Sequence, residues 1–330
     1  MNWRERFSKD ADAAKASDIR ELLKVMAEPD ILSFAGGIPD PDLFPIEEAR
    51  LERARIDDDA ERFKAAMQYS ETEGYAPLRD WVAAPHHARG ITRDNVLVTN
   101  GAQQSLALLA LTLIDADQPL AVARPTYLGA LQVFTTRQPD YRTVPVDCDG
   151  LIPEALEEVF EGGARLLYCI PDFQNPAGVS IPAERRARII ELAHRFDALV
   201  IEDTAYRELY YDAPPPASIF EMEQQWLADQ GLEATQGRVI QVGTLSKTLM
   251  PALRIGWTLG PASLIEKLAV LKQAQDLHTP TANQIIGFEL AHRIRGQHVE
   301  SLRNAYRIRR DAMVGALNRW MPDGVRFNRP

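Results

Sequence analysis

From residue 95 onward, short apolar runs alternate with longer segments of helical periodicity. The runs predict buried strands at residues 95–99, 120–123, 166–170, 199–201 and 239–242. Segments 102–114, 128–135 and 182–196 follow three of these runs and predict helices. Because parallel strands need long crossover connections, this order predicts an α/β fold with a mainly parallel sheet covered by helices on both faces.

The segments on either side of this core predict mostly helices. Residues 17–26 have an amphipathic helical pattern, 31–45 a fixed loop rich in glycine and proline, and 46–66 and 77–89 two further helices. Segment 213–236 is predicted to be a peripheral linker with a polar helix, and 253–259 a strand. Three helices are expected after residue 260, over 261–277, 281–295 and 297–320.

Composition limits the classes of partner. Of 330 residues, 45% are hydrophobic, which is enough for a large core, and the net charge of -10 disfavours nucleic acid and anionic membranes as partners. The two cysteines, Cys148 and Cys169, predict neither a disulfide framework nor a metal cluster and suit a reducing, cytoplasmic setting. No secretory signal and no membrane span is expected, since no apolar run approaches the ~18 residues required.

The stretch 243–257 (GTLSKTLMPALRIGW) carries the clearest chemical signal. Lys247 lies in a hydroxyl-rich turn after a buried strand, where burial should lower its pKa and make it a nucleophile toward carbonyl groups. Arg254 lies seven residues later and suits a phosphate. Together they predict a phosphorylated aldehyde cofactor, pyridoxal 5'-phosphate. The alternative is a solvated loop lysine beside a structural arginine.

Further candidates also follow predicted strands. The turn at Gly101 opens a helix whose first N–H groups can bind an anion, although such glycines are commonly simple turns. The ring of Tyr127 can stack on a pyridine ring or can simply pack in a loop. Asn175 can donate a hydrogen bond to a phenolate oxygen, although its Asn-Pro-Ala-Gly context is also ordinary turn sequence.

Asp203 ends the apolar run over residues 198–203, where a carboxylate can pair with a protonated pyridine nitrogen. A loop or helix-capping aspartate is the alternative. Alternation along the strand should point the neighbouring Glu202 to the other face. Tyr206 could bond the same phenolate as Asn175. Because ligands of open α/β sheets bind beyond the carboxyl ends of strands, these side chains are expected to share one crevice.

With these residues in place, the sequence resembles the fold-type I pyridoxal-phosphate aminotransferases of classes I and II, and in particular the aminoadipate and kynurenine aminotransferases. The resemblance runs from about residue 17 to residue 330. Its most specific segments are 33–39 (SFAGGIP), 68–70 (QYS), 124–127 (RPTY), 175–178 (NPAG), 202–206 (EDTAY) and 243–257.

The resemblance implies a role for each candidate. Lys247 would be the Schiff-base lysine and proton shuttle, with Asp203 on the pyridine nitrogen and Tyr206 and Asn175 on the phenolic oxygen. The other implied cofactor contacts are Tyr127 on the ring, and Gly101, Ala102, Gln103, Ser246 and Arg254 on the phosphate. Tyr69 would reach a partner's phosphate across a homodimer interface. Arg20, Gly37 and Asn175 would contact the substrate.

Two departures from the family pattern bear on these roles. Ala102 stands where the family usually has serine, so one phosphate contact would be missing. The chain ends at Pro330, before the position where the family carries the arginine that clamps the substrate α-carboxylate, so that role stays unassigned.

The resemblance implies a seven-stranded sheet and three parts. Residues 1–60 would contribute to a small domain, 61–275 would form the large cofactor-binding domain, and 276–330 would begin the C-terminal part of an incomplete small α/β domain. The expected reaction is ping-pong transamination between an amino acid and a 2-oxo acid such as 2-oxoglutarate. The alternatives are another pyridoxal-phosphate reaction, such as a lyase or decarboxylase, a non-catalytic effector domain, or an inactive remnant.

Overall fold

The computed structural model describes residues 1–14, 30, 34 and 37–330. The helix predicted over residues 17–26, the residue Arg20 and most of the glycine- and proline-rich loop before residue 37 lie outside the described residues. From Val96 onward the chain alternates between strands and helices, as the apolar runs predict.

Eight strands form one sheet in the described part of the chain. They are β1 (Val96–Asn100), β2 (Pro119–Arg124), β3 (Asp140–Asp147), β4 (Gly150–Leu151), β5 (Leu166–Cys169), β6 (Leu199–Asp203), β7 (Val239–Thr244) and β8 (Ile255–Leu259). The α-helices of the same part are α1 (Lys9–Ala13), α2 (Ile46–Asp57), α3 (Ala60–Met67), α4 (Ala76–Ala83), α5 (Ala102–Leu113), α6 (Leu128–Thr135), α7 (Pro153–Glu161), α8 (Ala183–Arg195), α9 (Ile219–Asp229), α10 (Ala262–Gln275), α11 (Thr281–Arg293) and α12 (Arg295–Trp320).

The strand order is β1-β8-β7-β6-β5-β2-β3-β4. Strands β7, β6, β5, β2 and β3 are parallel to their neighbours in this series, whereas β8 is antiparallel to both β7 and β1. Strand β1 therefore runs in the same direction as β7. The carboxyl ends of these parallel strands and the start of β8 consequently lie at the same end of the sheet. The short β4, antiparallel to β3, raises the strand count above the seven implied by the resemblance.

Apolar side chains cover both faces of the sheet. Val200 and Ile201, adjacent on β6, pack into different apolar clusters because successive side chains of a strand point to opposite faces. The first cluster is closed by helices such as α8 and the second by α5 and α10. Because both faces of the sheet are covered by apolar side chains, the polar groups of a site can gather at the ends of the strands.

The apolar pattern missed the β3–β4 hairpin and helix α7. Strand β3 lies near the sheet edge, where Val144 is its one fully buried position and Pro145 interrupts its run. A strand that buries so little shows no clear alternation.

Helix α9 corrects the prediction that segment 213–236 is peripheral. Its Phe220 packs in the first apolar cluster. Its charged Glu223 is fully buried and accepts hydrogen bonds from the N–H groups of Arg238 and Val239, at 2.8 and 3.0 Å. The polar composition of α9 suggested a surface helix, but its Glu223 carboxylate is buried because it accepts from the backbone N–H groups at the start of β7.

Two predicted helices are shorter than their periodicity suggests. The helix predicted over 46–66 divides into α2 and α3, because the Asp59 side chain caps the second part by accepting from the N–H groups of Glu61 and Arg62 at 3.0 and 3.1 Å. The helix predicted over 77–89 ends as an α-helix at Ala83 and continues as a 3-10 turn, Ala84–Arg89.

Candidate active site

Most of the predicted cofactor-binding residues lie at the end of the sheet where the parallel strands have their carboxyl ends. Asp203 is the last residue of β6, and the turn with Lys247 follows β7. Arg254 was predicted to lie inside a strand, but it precedes β8 in a left-handed conformation with φ of +55°. Because β8 is antiparallel to its neighbours, its first residue meets the ends of β1 and β7.

The turn that carries Lys247 is held from both sides. Leu245 and Leu249 are buried in an apolar cluster beside β8. The hydroxyl of Thr244 lies 2.9 Å from the Ser246 hydroxyl and accepts a hydrogen bond from the Ser246 N–H at 3.1 Å. These contacts fix the backbone on both sides of Lys247.

Burial lowers the pKa of the Lys247 amine below its ordinary value, and the positive charge of Arg254 lowers it further. The carboxylate of Asp203 opposes both effects. The Nζ atom lies 5.7 Å from the centre of the Tyr206 ring. Lys247 therefore lies within electrostatic reach of both Asp203 and Arg254.

Asp203 is 3% exposed and has two hydrogen-bond donors. Tyr168 donates its hydroxyl to Oδ2 at 3.0 Å, and the N–H of Ala205 donates to Oδ1 at 3.1 Å. Burial raises the pKa of the Asp203 carboxyl, while these two donors and Lys247 lower it. Such a carboxylate is stabilised further by any cation that enters the crevice.

Glu202, the neighbouring carboxylate, faces the other side of the sheet. It accepts hydrogen bonds from the N–H groups of Ile219 and Phe220 at 2.6 and 3.0 Å, at the start of α9. Burial raises its pKa to about 7. Its role in the fold is to cap a helix, whereas Asp203 lies on the side of Lys247.

Asn175 and Tyr206 meet above the end of the sheet. The Asn175 side-chain amide donates to the Tyr206 hydroxyl at 3.2 Å. The neighbouring Gln174 side chain donates to the carbonyl of Pro125 at 2.7 Å, which joins the loops after β5 and β2. The Asn175 amide and the Tyr206 hydroxyl, which come from the loops after β5 and β6, are therefore held side by side.

Tyr127 precedes helix α6, and its half-buried ring lies directly over Gly129, where any side chain would collide with it. Burial raises the pKa of its hydroxyl, the negative charge of Asp203 adds to that rise, and Arg254 reduces it. Gln103 donates to the carbonyl of Gly129 at 2.8 Å, so the start of α5 is tied to α6.

Gly101 and Arg254 form one cradle at the start of α5. Gly101 has φ of +74°, and a Cβ atom added to it would collide with the Arg254 guanidinium. That guanidinium donates to the carbonyls of Asn100 and Pro251 at 3.0 and 3.2 Å and remains exposed. The first N–H groups of a helix have no intrahelical acceptor, so this cradle offers donors and positive charge to an anion.

The other predicted residues are less closely connected to this crevice. Gly37 is exposed, with φ of +53°, and no heavy atom of the described residues lies within 4 Å of the place that a Cβ atom would take. Tyr69 is 77% exposed, and its ring meets His278 edge-on with 5.9 Å between ring centres.

Sequence reasoning missed Tyr168, because an aromatic residue inside an apolar run is indistinguishable from a core residue until its strand is paired with β6.

The profile of the family described as aminotransferase class I and II matches residues 29–327. The chain belongs to this family. It is a pyridoxal-phosphate-dependent aminotransferase with the fold-type I architecture, which confirms the predicted family, fold class, cofactor and enzyme class.

Similar proteins span nearly all of this chain. A 2-aminoadipate transaminase of Thermus thermophilus is 41% identical over 100% of this chain and 80% of its own length. Aromatic-amino-acid aminotransferase 1 of Thermococcus litoralis is 36% identical over 100% of this chain and 78% of its own length. The crystal structure of the Thermus thermophilus alpha-aminoadipate aminotransferase LysN, complexed with N-(5'-phosphopyridoxyl)-L-leucine, gives a TM-score of 0.89 at 40% identity and covers 100% of this chain and 80% of that one.

The crevice of this aminotransferase fits its cofactor. A phosphate suits the cradle of Gly101 and Arg254, and a protonated ring nitrogen suits the buried carboxylate of Asp203. An aldehyde suits the amine of Lys247, whose pKa is lowered.

None of the helices in the described part of the chain has the length and apolar character that crossing a membrane requires.

Replacement of Tyr168 by phenylalanine tests the contact to Asp203. For Tyr168→Phe we expect kcat/KM to fall about 10- to 150-fold, because a hydrogen bond to a charged group contributes roughly 1.5–3 kcal/mol. The Tyr168 hydroxyl lowers the pKa of the Asp203 carboxyl. Its loss should therefore raise that pKa and move the acidic limb of the pH–rate profile to higher pH.

Tyr141→Phe is the matched control, since its hydroxyl lies 2.9 Å from that of Thr135. It should leave both the rate and the profile unchanged. If Tyr168→Phe keeps the wild-type acidic limb, the hydroxyl does not act on Asp203.

Proposed function

We propose that this aminotransferase transfers the α-amino group of a dicarboxylic, aromatic or other large amino acid to a 2-oxo acid such as 2-oxoglutarate. The names of two relatives, a 2-aminoadipate transaminase and an aromatic-amino-acid aminotransferase, support this range of donors. The residue roles rest on one observation: Asp203, Lys247 and Arg254 lie at the end of β6, just after β7 and just before β8, which are neighbouring strands whose ends meet there.

Lys247 would provide both the covalent link and the proton transfer. Because burial lowers the pKa of its amine, a larger fraction is neutral at a given pH, and a neutral amine attacks aldehydes. As a general base, the free Nζ of Lys247 would accept the proton from the substrate α-carbon. As a general acid, it would then give that proton to the cofactor carbon from which the amino group is carried.

The remaining residues would hold and tune the cofactor. When bound, pyridoxal phosphate supplies an aldehyde that captures amino groups and a ring that accepts the electrons released at the α-carbon. Asp203 would keep a proton on the ring nitrogen, and Tyr127 would cover the ring. Asn175 and Tyr206 would donate to the phenolic oxygen. Ser246, Arg254 and the N–H groups of Ala102 and Gln103 would bind the phosphate.

An amino-acid panel with 2-oxoglutarate as acceptor tests the proposed reaction. We expect product 2-oxo acid from 2-aminoadipate, glutamate or an aromatic donor, with parallel double-reciprocal lines when both substrates vary. Intersecting lines would contradict the ping-pong mechanism, whereas release of carbon dioxide or ammonia in place of amino transfer would favour a decarboxylase or lyase.

We further propose that the enzyme is a homodimer in which Tyr69 reaches the partner's phosphate. Tyr69 is 77% exposed, and the exposed apolar side chains Phe63, Met67 and Leu277 lie near it in the sequence or beside its neighbour His278. Exposed aromatic and other apolar side chains are typical of subunit interfaces, which supports the proposal.

Mixed dimers test whether Tyr69 acts in trans. Tyr69→Ala and Lys247→Ala should each be nearly inactive alone. Unfolded together and refolded, they should regain about one quarter of the wild-type activity, since random pairing makes half the dimers mixed and each mixed dimer has one complete site. If Tyr69 acts within its own chain, each site of a mixed dimer lacks one residue and the mixture stays inactive.

Several proposals concern the wider protein. We propose that Arg20 and Gly37 contact the substrate, and that the parts 1–60, 61–275 and 276–330 form the small-domain segment, the large domain and the start of the C-terminal domain. A cytoplasmic location and a biosynthetic role in amino-acid metabolism complete the proposal. The free cysteines Cys148 and Cys169 support a reducing compartment.

A further inference from the structure

Lys272, on the last turn of α10, is a buried cation without a role in the site described above. Its side chain is fully buried, and Nζ lies 2.7 Å from Oδ1 of Asp276 and 3.2 Å from Oε1 of Gln104. A buried lysine is costly unless it is paired. Its position therefore depends on these two partners.

The partners of Lys272 hold the residue that precedes the phosphate turn. Asp276 Oδ2 accepts hydrogen bonds from the side-chain amides of Asn100 and Gln104, the second at 2.7 Å. Gln104 Oε1 also accepts from the backbone N–H of Asn100 at 2.8 Å. Asn100 is thus fixed through both its backbone nitrogen and its side chain.

The same asparagine connects this network to the phosphate cradle. Its carbonyl accepts the Arg254 guanidinium at 3.0 Å, and Gly101 follows it directly. The anchor of the cradle is therefore the Asp276 carboxylate, whose charge has the same sign as a phosphate. Asp276 bonds to Asn100, which in turn bonds to Arg254, and an unpaired carboxylate at that place would repel an anion bound to the cradle.

We propose that Lys272 is a positioning residue for the cofactor phosphate: it neutralises Asp276, so that this carboxylate can anchor Asn100 and the Gly101–Arg254 cradle without repelling the phosphate. The proposal rests on the proposed roles of Gly101 and Arg254 in phosphate binding. It goes beyond them because it assigns Lys272 and Asp276 a role through Asn100 and Arg254, without a contact of their own to the cofactor.

The test is the affinity of the apoenzyme for pyridoxal phosphate, measured by quenching of tryptophan fluorescence. Lys272→Met should weaken binding about tenfold, because it leaves the Asp276 charge uncompensated near the phosphate. Lys272→Gln keeps a donor to the same oxygens without the charge and should weaken binding to a similar degree. Lys267→Met, on the exposed side of the same helix, should bind like the wild type.

Adding Asp276→Asn to Lys272→Met removes the repelling charge as well as the neutralising one. We expect this double variant to bind pyridoxal phosphate within about threefold of the wild type. Pyridoxal without the phosphate should bind equally to all the variants. Both outcomes distinguish neutralisation of charge from a merely structural contribution, which would weaken both ligands and would not be rescued.

Any one of three results would overturn the proposal. Lys272→Met could bind pyridoxal phosphate as tightly as the wild type, Lys272→Gln could do so while Lys272→Met does not, or the double variant could bind it as weakly as Lys272→Met. If Lys272→Met does not fold, Lys272→Gln and the double variant decide the outcome. Failure of the wild-type apoenzyme to bind pyridoxal phosphate would instead refute the cofactor site itself.

Discussion

Lys247→Ala should lower turnover by about 10⁴-fold or more, since it removes both the nucleophile and the group that moves the proton. The variant should still bind pyridoxal phosphate, because the cradle of Gly101 and Arg254 and the carboxylate of Asp203 remain. Steady-state rates measured with the donor identified in the panel, at saturating cofactor, provide the check.

Lys267→Ala is the matched control for this variant. Its side chain lies on the exposed side of α10, so its loss should leave turnover unchanged. The roles assigned to Lys247 would be untenable if Lys247→Ala turned over at the wild-type rate.

Asp203→Asn should lower turnover about 10²- to 10³-fold, because loss of one member of a buried charge pair costs roughly 2–5 kcal/mol. The substitution preserves size, and an amide oxygen can still accept from Tyr168 or Ala205. What it removes is the negative charge that would keep the ring nitrogen protonated. Single-turnover rates with a saturating amino acid isolate this step from cofactor binding.

Glu202→Gln is the matched control for Asp203→Asn. It neutralises the adjacent buried carboxylate, which faces the other side of the sheet and caps α9. Turnover should stay within about threefold of the wild type, since the amide oxygen can still accept from one of the two N–H groups and the change lies on the face of the sheet away from Lys247. Equal losses in the two variants would mean that burial at the end of β6, rather than the position of Asp203, sets the rate.

The sequence was sufficient to predict which residues gather at the end of the sheet. Each of Asp203, Lys247 and Asn175 follows a buried apolar run, and the carboxyl ends of parallel strands share one edge. Alternation along β6 also separates Asp203 from Glu202. These predictions depend only on the local period of a strand and on the rule that parallel strands need crossover helices.

Features that depend on contacts between distant segments were not predictable. The apolar run around Arg254 resembles the interior of a strand, because the pattern does not reveal a left-handed residue placed against Gly101. Lys272 and Asp276 are four residues apart, as an ordinary surface helix pair would be. Their partners Asn100 and Gln104 lie about 170 residues earlier in the chain. The local pattern therefore does not distinguish buried polar groups of this kind from surface residues, and the same holds for Glu223 on α9.

Borohydride reduction of the purified enzyme, followed by mass spectrometry of its peptides, tests the central claim most directly. The enzyme should show a visible absorbance band that reduction removes, and the phosphopyridoxyl group should then be found on Nζ of Lys247. Absence of the band and of any labelled peptide, or label on another lysine with Lys247 unmodified, would contradict the account.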